Sequence, residues 1–269
     1  INNAQREHQE FMRSVADVAK EHASLIAALP ADGTAVINAD DAHAAVWRTT
    51  AGARAVRDFG LGRATVTAKC SMDAATATLD VSIPGATARI ALPLAGEHSA
   101  RNALAAVAAA TAAGASLDAC VRALERFVPI RGRLQMKRGV HGAALIDDTY
   151  NANPDSVRAA TDVLARARGR KLLVLGDMGE VGTQGPVFHQ EAGAYARTAG
   201  IDRLYTLGEL AADAARAFGE GARHYPRVEE LLADVENALD AQTTVLVKGS
   251  RFMQMERVVR GLEAQADKA

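Results

Sequence analysis

The densest chemistry in the chain lies in Ile146-Asp-Asp-Thr-Tyr-Asn-Ala-Asn-Pro-Asp-Ser156. An apolar run from Ala143 to Ile146 ends there in two adjacent carboxylates. The chain then turns through Asn151 and Asn153 into a helical pattern that begins at Pro154. Proline at the first helical position, with asparagine just before it, is helix-start chemistry. A strand tip feeding a helix N-terminus gathers backbone N–H groups and acidic side chains at the C-terminal edge of a sheet, where α/β folds place their ligands. Buried aspartate is rare unless paired, so core packing does not account for the two carboxylates. The plainer alternative is a solvated strand-end turn.

Three more polar constellations have the same kind of placement. Gly176-Asp-Met-Gly-Glu-Val-Gly182 follows a strand pattern directly, and so does Lys248-Gly-Ser-Arg251. Arg131-Gly-Arg133 lies where the periodicity changes. In a doubly wound sheet all loops that follow strands emerge on one edge, so these pieces should converge. Lysine and arginine beside aspartate and glutamate suit a phosphate or carboxylate ligand with an amine co-ligand. The glycines of the 176–182 loop recur every three residues, which is not the dinucleotide fingerprint, and no GxxxxGK[ST] phosphate loop occurs in the chain.

The first half offers weaker candidates. Gly96-Glu-His-Ser-Ala-Arg-Asn102 precedes a helix, and His98 and Asn102 there could hold a base or phosphate. Ordinary capping by Ser99 is an equal reading. His8, within Arg6-Glu-His-Gln-Glu10, is compatible with metal or substrate binding, or with a solvated helix start. Histidines 22, 43, 141, 189 and 224 have no ligand-type spacing, which argues against a protein-only zinc site.

The elements that must position these residues follow from periodicity. Helical spacing runs from Ser14 to Leu29 and stops at Pro30, a short strand covers Thr34 to Ile37, and a short helix covers His43 to Arg48. Ala64 to Lys69, Thr76 to Ile83 and Ala88 to Leu92 read as a small antiparallel patch with a hairpin turn at Pro84-Gly85. Alanine-rich helices follow over 100–113 and 117–127. Pro129-Ile-Arg-Gly-Arg133 breaks the pattern and marks a boundary, giving expected domains 1–130 and 131–269. Beyond it, strands at 143–146, 171–176, 203–207 and 243–247 alternate with helices at 154–168, 187–199, 209–218, 227–239 and 252–264. Near-continuous apolar strands such as Leu172 to Leu175 indicate a parallel, doubly wound α/β sheet covered on both faces.

Bulk properties narrow the function classes. A chain of 269 residues can hold two cores. Hydrophobic residues make up 49% and aromatics only 4%, so the cores are alanine, valine and leucine. The net charge of −1 suggests neither a nucleic-acid footprint nor an electrostatic membrane anchor. No apolar run approaches the roughly 20 residues needed to span a bilayer. Cys70 and Cys120 lack CxxC spacing and are expected to be free thiols in a reducing cytosol.

Taken in order, the motifs resemble the Mur ligase family, from Asn2 to about Val259. The resemblance rests on His8 in NNAQREHQEF, NADD at 38–41, His98 and Asn102, the Gly132-Arg133 pair, IDDTYNANPDS, LGDMGEVG and VKGSRFMQME. It implies a C-terminal Rossmann-like domain preceded by the second part of a central ATPase-type domain. It also implies a cytoplasmic, monomeric enzyme of peptidoglycan precursor synthesis that uses ATP and Mg2+. The implied reaction phosphorylates the terminal carboxylate of UDP-N-acetylmuramoyl-tripeptide, and the amine of D-alanyl-D-alanine then attacks the acyl phosphate. By the same resemblance Asn102 contacts adenine, Arg133 and Asp148 hold ribose and phosphates, and His8 lies near the magnesium ion and the reacting carboxylate. His8 and Lys248 are the catalytic candidates, with Lys248 on the dipeptide and acyl-phosphate side together with Asn151, Asn153, Ser250 and Arg251.

Departures from the family pattern set further expectations. Ser99 stands where the family has a second asparagine after the histidine, and a shorter donor could loosen nucleotide contact. The position fourteen residues after His8, where many members carry a carbamylated lysine, holds His22, with Lys20 nearby, so no carbamyl-lysine site is expected. The family's glycine-rich phosphate loop would lie upstream of His8, and the 269 residues alone are therefore expected neither to hydrolyse ATP nor to ligate. Alternatives are a folylpolyglutamate synthase-like carboxylate–amine ligase, or a module that binds ligand without turnover.

Overall fold

Two sheets with different pairing rules organise the molecule. In the computed structural model, residues 1–73 and 75–264 are described. Residues 265–269, the end of the expected second domain, lie outside them. The chain divides into units Ile1–Val128 and Pro129–Ala269.

The first unit runs α1 (Val15–Ala27), β1 (Thr34–Asn38), α2 (Ala44–Ala51), β2 (Ala55–Gly60), β3 (Val66–Met72), β4 (Ala77–Ile83), β5 (Ala86–Leu92), α3 (Glu97–Ala112) and α4 (Leu117–Glu125). Ser14 starts α1 by accepting the Asp17 N–H at 3.2 Å, and Ser116 starts α4 in the same way. The sheet order is β1-β2-β3-β4-β5, with parallel pairing from β1 to β3 and antiparallel pairing from β3 to β5. The expected antiparallel patch is thus the edge of a mixed sheet. Its unforeseen member is β2, where Arg57 and Asp58 interrupt the apolar pattern and only Phe59 and Gly60 are buried. Alternation in β4 sends Leu79 and Val81 inward against Ala103, Leu104 and Val107 of α3. Under α1 and α2 a second core surrounds Trp47, whose indole N–H donates to Ala19 O at 2.9 Å. Both cysteines are free.

The second unit runs β6 (Gln135–Arg138), β7 (Ala144–Asp148), α5 (Pro154–Ala165), β8 (Arg170–Gly176), α6 (Gly185–Thr198), β9 (Arg203–Leu207), α7 (Ala211–Phe218), β10 (Ala222–Tyr225), α8 (Val228–Asn237), β11 (Thr243–Lys248) and α9 (Glu256–Leu262). Its sheet order is β10-β9-β8-β11-β7-β6, parallel throughout except for β6, which runs antiparallel to β7. Period-two alternation divides the strand side chains between two cores. Leu173, Leu175, Ile146 and Leu246 join α5, α6 and α7, whereas Leu172, Val174, Leu145, Val245 and Val247 join α8 and α9. The doubly wound expectation holds. β6 and β10 were not legible because they are short, polar edge strands, as sheet edges tend to be. The expected helix over 252–264 divides into a 3₁₀ turn at Arg251–Met253 and α9, separated at Gln254, whose φ is 50°.

Candidate active site

Each unit carries its own polar constellation. In the second, the loops after β7, β8 and β11 meet at the C-terminal edge of the sheet, and the side chains between them are mostly hidden. Lys248, the last residue of β11, is only 3% exposed. Its Nζ donates to Asp148 Oδ2 at 2.6 Å and to the Asn151 carbonyl at 2.9 Å. The other oxygen of Asp148 accepts the Leu134 N–H at 3.1 Å. Asp148 therefore joins β11 to the residue that follows Arg133, and Leu134 is held there at a φ of 48°. A buried charge persists only when paired and hydrogen-bonded, and this pair meets that condition.

Ser250 performs the same kind of joining with a neutral group. Its Oγ donates to Ala152 O at 3.0 Å and accepts the Gly179 N–H at 2.7 Å, and its own N–H donates to Asp177 O at 3.0 Å. One serine thus ties three loops. Asp177 Oδ1 accepts the Ala211 N–H at 2.7 Å at the start of α7. Asn153 caps α5, its Oδ1 accepting the Ser156 N–H at 2.7 Å while Ser156 Oγ accepts the Asn153 N–H at 2.9 Å.

One residue of this network escaped sequence reasoning. His189 is fully buried on α6, accepts the Met178 N–H on Nε2 at 2.9 Å and directs Nδ1 at the Gly185 carbonyl at 2.7 Å. That arrangement requires the neutral ring with its proton on Nδ1. Burial holds its pKa below the ordinary value, against the opposing pull of the Gly185 carbonyl, Asp177 and Asp213. His189 follows the 176–182 loop by one helical turn, and that proximity was the only available signal.

Other candidates face outward. Arg133 is exposed, with its guanidinium carbon 4.1 Å from the centre of the half-exposed Tyr150 ring. Gly132 occupies a φ of 75°, and a Cβ there would come within 3.0 Å of the Tyr150 nitrogen, so only glycine allows the approach that seats Arg133 over Tyr150. Arg251 is exposed and pairs with Glu256 at 3.1 Å. Asn151 is exposed, with Oδ1 accepting the Ala152 N–H at 2.9 Å. Lys248, expected to be catalytic, and Ser250 and Asn153, expected at the dipeptide, make their hydrogen bonds here within the protein.

In the first unit a cleft of about 270 Å³ is lined by Asn2, Asn38, Asp40, Asp41, His98 and Asn102 among others. His98 and Asn102 of α3 meet there, and Asn102 Oδ1 accepts from Asn2 Nδ2 at 2.5 Å. The NADD segment shapes the floor. Asn38 donates to Asn2 O at 2.8 Å, Asp41 accepts the N–H groups of Ala4 and His43, and Asp40 accepts those of Leu61 and Gly62. The Ser99 side chain does not cap the helix. It is 5% exposed, on the core side of α3, and the helix is capped by Gly96 without a side-chain hydrogen bond.

His8 lies outside the lining of this cleft, exposed and at a φ of 53°. His22 donates through Nδ1 to the Asn3 carbonyl, 3.1 Å away, and its Nε2 is 3.6 Å from Glu7. Lys20 is exposed and lies near Asp17. Among the described residues no three histidine, cysteine or carboxylate groups converge on a metal position. Magnesium demands near-octahedral oxygen ligation, and the described residues do not by themselves assemble such a set.

Two family models match in sequence: the Mur ligase middle domain over residues 1–110 and the glutamate ligase domain of Mur ligases over residues 132–251. The chain belongs to the Mur ligase family. Among its relatives, the UDP-N-acetylmuramoyl-tripeptide–D-alanyl-D-alanine ligase of Escherichia coli is 34% identical over 268 residues, a match covering 98% of this chain and 59% of that protein. The crystal structure of MurF from Acinetobacter baumannii superposes with a TM-score of 0.91 at 30% identity, covering 97% of this chain and 58% of that one. MurF ligase from Thermotoga maritima in complex with ADP shares the fold, with a TM-score of 0.84 at 21% identity over 97% of this chain and 61% of that one. The chain thus spans about three-fifths of the length of the relatives it matches. No helix among the described residues is long and apolar enough to cross a membrane.

Proposed function

We propose that this chain provides part of a cytoplasmic, monomeric, ATP-dependent ligase that joins D-alanyl-D-alanine to UDP-N-acetylmuramoyl-tripeptide through an acyl phosphate. The observation that carries this reading is the knot at the C-terminal sheet edge. There Lys248 and Ser250 lock the loops after β7, β8 and β11 and leave Arg133, Tyr150, Asn151 and Arg251 facing out. Transfer of a phosphoryl group and attack by an amine need positioned charge more than covalent help from the protein. In this reading Arg133 meets the nucleotide phosphates and Asn151 and Arg251 meet the dipeptide. Asn102, in the first-unit cleft, meets adenine. His8 is the proposed neighbour of the magnesium ion and the reacting carboxylate. Because the described residues do not complete a metal site, no step is assigned to the ion.

The relatives' names and the ADP complex support nucleotide and dipeptide as ligands. Calorimetry on the 269-residue chain tests the reading. ADP is expected to bind, and Arg133→Ala should weaken it about 10-fold or more, the worth of a charge-assisted hydrogen bond. Unchanged ADP affinity in both Arg133→Ala and Asn102→Ala would refute the nucleotide assignment.

A further inference from the structure

The six-stranded sheet has a second concave region at the opposite edge from Lys248, where β8, β9 and β10 begin. A cleft of about 550 Å³ opens there over the face that carries α8. Leu172 and Tyr205 lie at its floor, Asp234 and Ala238 of α8 form a wall, and four arginines line it. The placement follows from strand alternation: Arg170 and Leu172 share a face of β8, and Arg203 and Tyr205 the same face of β9.

Two of these side chains have polar groups with no partner. Tyr205 is 5% exposed and stacks on Tyr225, yet its hydroxyl makes no hydrogen bond among the described residues. The ring is buried while the hydroxyl itself opens to the cleft, where it can donate to a ligand. Arg203 likewise makes no hydrogen bond or ion pair among the described residues. The other three guanidiniums are each anchored through a single nitrogen: Arg170 to Ala238 O and Asp240, Arg197 to Glu220 O, and Arg223 to Asp234. Arg223 also meets the Tyr225 hydroxyl and Arg197 lies over the Phe218 ring, and each five-donor guanidinium keeps N–H groups for a ligand. Of the lining carboxylates, Asp234 is paired with Arg223 and Asp202 accepts the Lys171 N–H at 2.8 Å. Four guanidiniums line the cleft with three carboxylates, and Asp240, which pairs with Arg170, offsets the remaining charge, so the surplus is in N–H donors.

We propose that this cleft binds a phosphate-bearing small molecule, its oxyanion held by Arg203 and the Tyr205 hydroxyl and flanked by Arg170 and Arg223. Planar guanidiniums match phosphate oxygens in pairs, and a phenol adds a short neutral donor. Burial and the nearby Asp234 push the Tyr205 pKa up, so the hydroxyl keeps its proton at neutral pH. The volume admits a group larger than phosphate alone, which makes a phosphorylated metabolite the expected occupant.

The probe is inorganic pyrophosphate, titrated into the 269-residue chain at low salt and followed by amide chemical shifts. Saturable shifts are expected around Arg203 and Tyr205. Arg203→Ala should weaken binding about 10- to 100-fold and Tyr205→Phe about 5-fold, from the worth of hydrogen bonds to a charged group. Tyr205→Phe should leave the urea midpoint unchanged, because the hydroxyl has no protein partner to lose. Arg133→Ala, at the other sheet edge, should leave these shifts intact. No saturable response at about 10 mM pyrophosphate, where even weak specific association registers, would overturn the proposal. So would affinity unaffected by Arg203→Ala, or equal affinity for chloride.

Discussion

Replacing Lys248 with methionine tests whether the knot at the sheet edge is held by its buried ion pair. Methionine matches the four-atom stem of the side chain and lacks the ammonium. Asp148, at 8% exposure, would retain one hydrogen bond, from the Leu134 N–H, and the Asn151 carbonyl would lose its donor. Stranding one partner of a buried pair costs about 3–5 kcal/mol. With a urea slope of about 2 kcal/mol per molar, the unfolding midpoint of the second unit should fall by roughly 2 M. The aromatic residues report the two units separately. All four tyrosines (150, 195, 205 and 225) lie in the second and the single tryptophan, Trp47, in the first. The tyrosine transition should move and the tryptophan transition should not. Pairing Lys248→Met with Asp148→Leu removes both charges, and the double variant should recover at least about 2 kcal/mol of the summed single losses, since an apolar pair of similar volume tolerates the site. A loss below about 1 kcal/mol in Lys248→Met, or simple additivity in the cycle, would show that water or a rearranged loop satisfies Asp148 and that the ion pair does not hold the knot.

Two further perturbations probe the same unit. Because burial lowers the folded pKa of His189 from 6.5, unfolded chains take up its proton first as pH falls. Its contribution to stability is therefore complete above about pH 6.5 and is lost below it, toward the lowered folded value. Urea midpoints measured against pH should show that slope, and His189→Gln should flatten it; an unchanged slope would remove His189 as its source. Gly193→Ala places a Cβ 2.0 Å from the Ala214 carbonyl, where α6 meets α7. Helix propensity favours alanine by about 1 kcal/mol, but a backbone clash of this depth outweighs it, so a net loss of about 2–3 kcal/mol is expected by urea denaturation. A neutral or stabilising result would mean that the two helices separate freely.

The parallel sheet was legible because its strands are apolar on both faces. Val245 to Val247 and Leu172 to Leu175 read as doubly covered strands whatever their neighbours. β2, β6 and β10 were not legible, since half-covered or edge strands carry charges where a periodicity reading looks for apolar residues. At the site, the motifs predicted which loops converge, and the structure joins them through Lys248, Asp148 and Ser250. The network around His189 was hidden for a different reason. Its partners are the backbone groups of Met178 and Gly185, which have no sequence signature.

The roles inside the motifs were less legible than the motifs themselves, and the reason is chemical. A side chain that grips a ligand and one that binds two loops together need the same donors and acceptors, so KGSR and IDDTYNANP read identically in either case. Burial separates them. Lys248 and Ser250 are each 3% exposed and spend their hydrogen bonds on the protein, so substitution there should disturb several loops at once. Arg133, Asn151 and Arg251 are exposed on the same loops, and substitution there should leave the fold intact. The motifs thus divide into an inner layer that fixes the loops and an outer, exposed layer that the proposed function assigns to ligand. Stability should track the first layer and affinity the second.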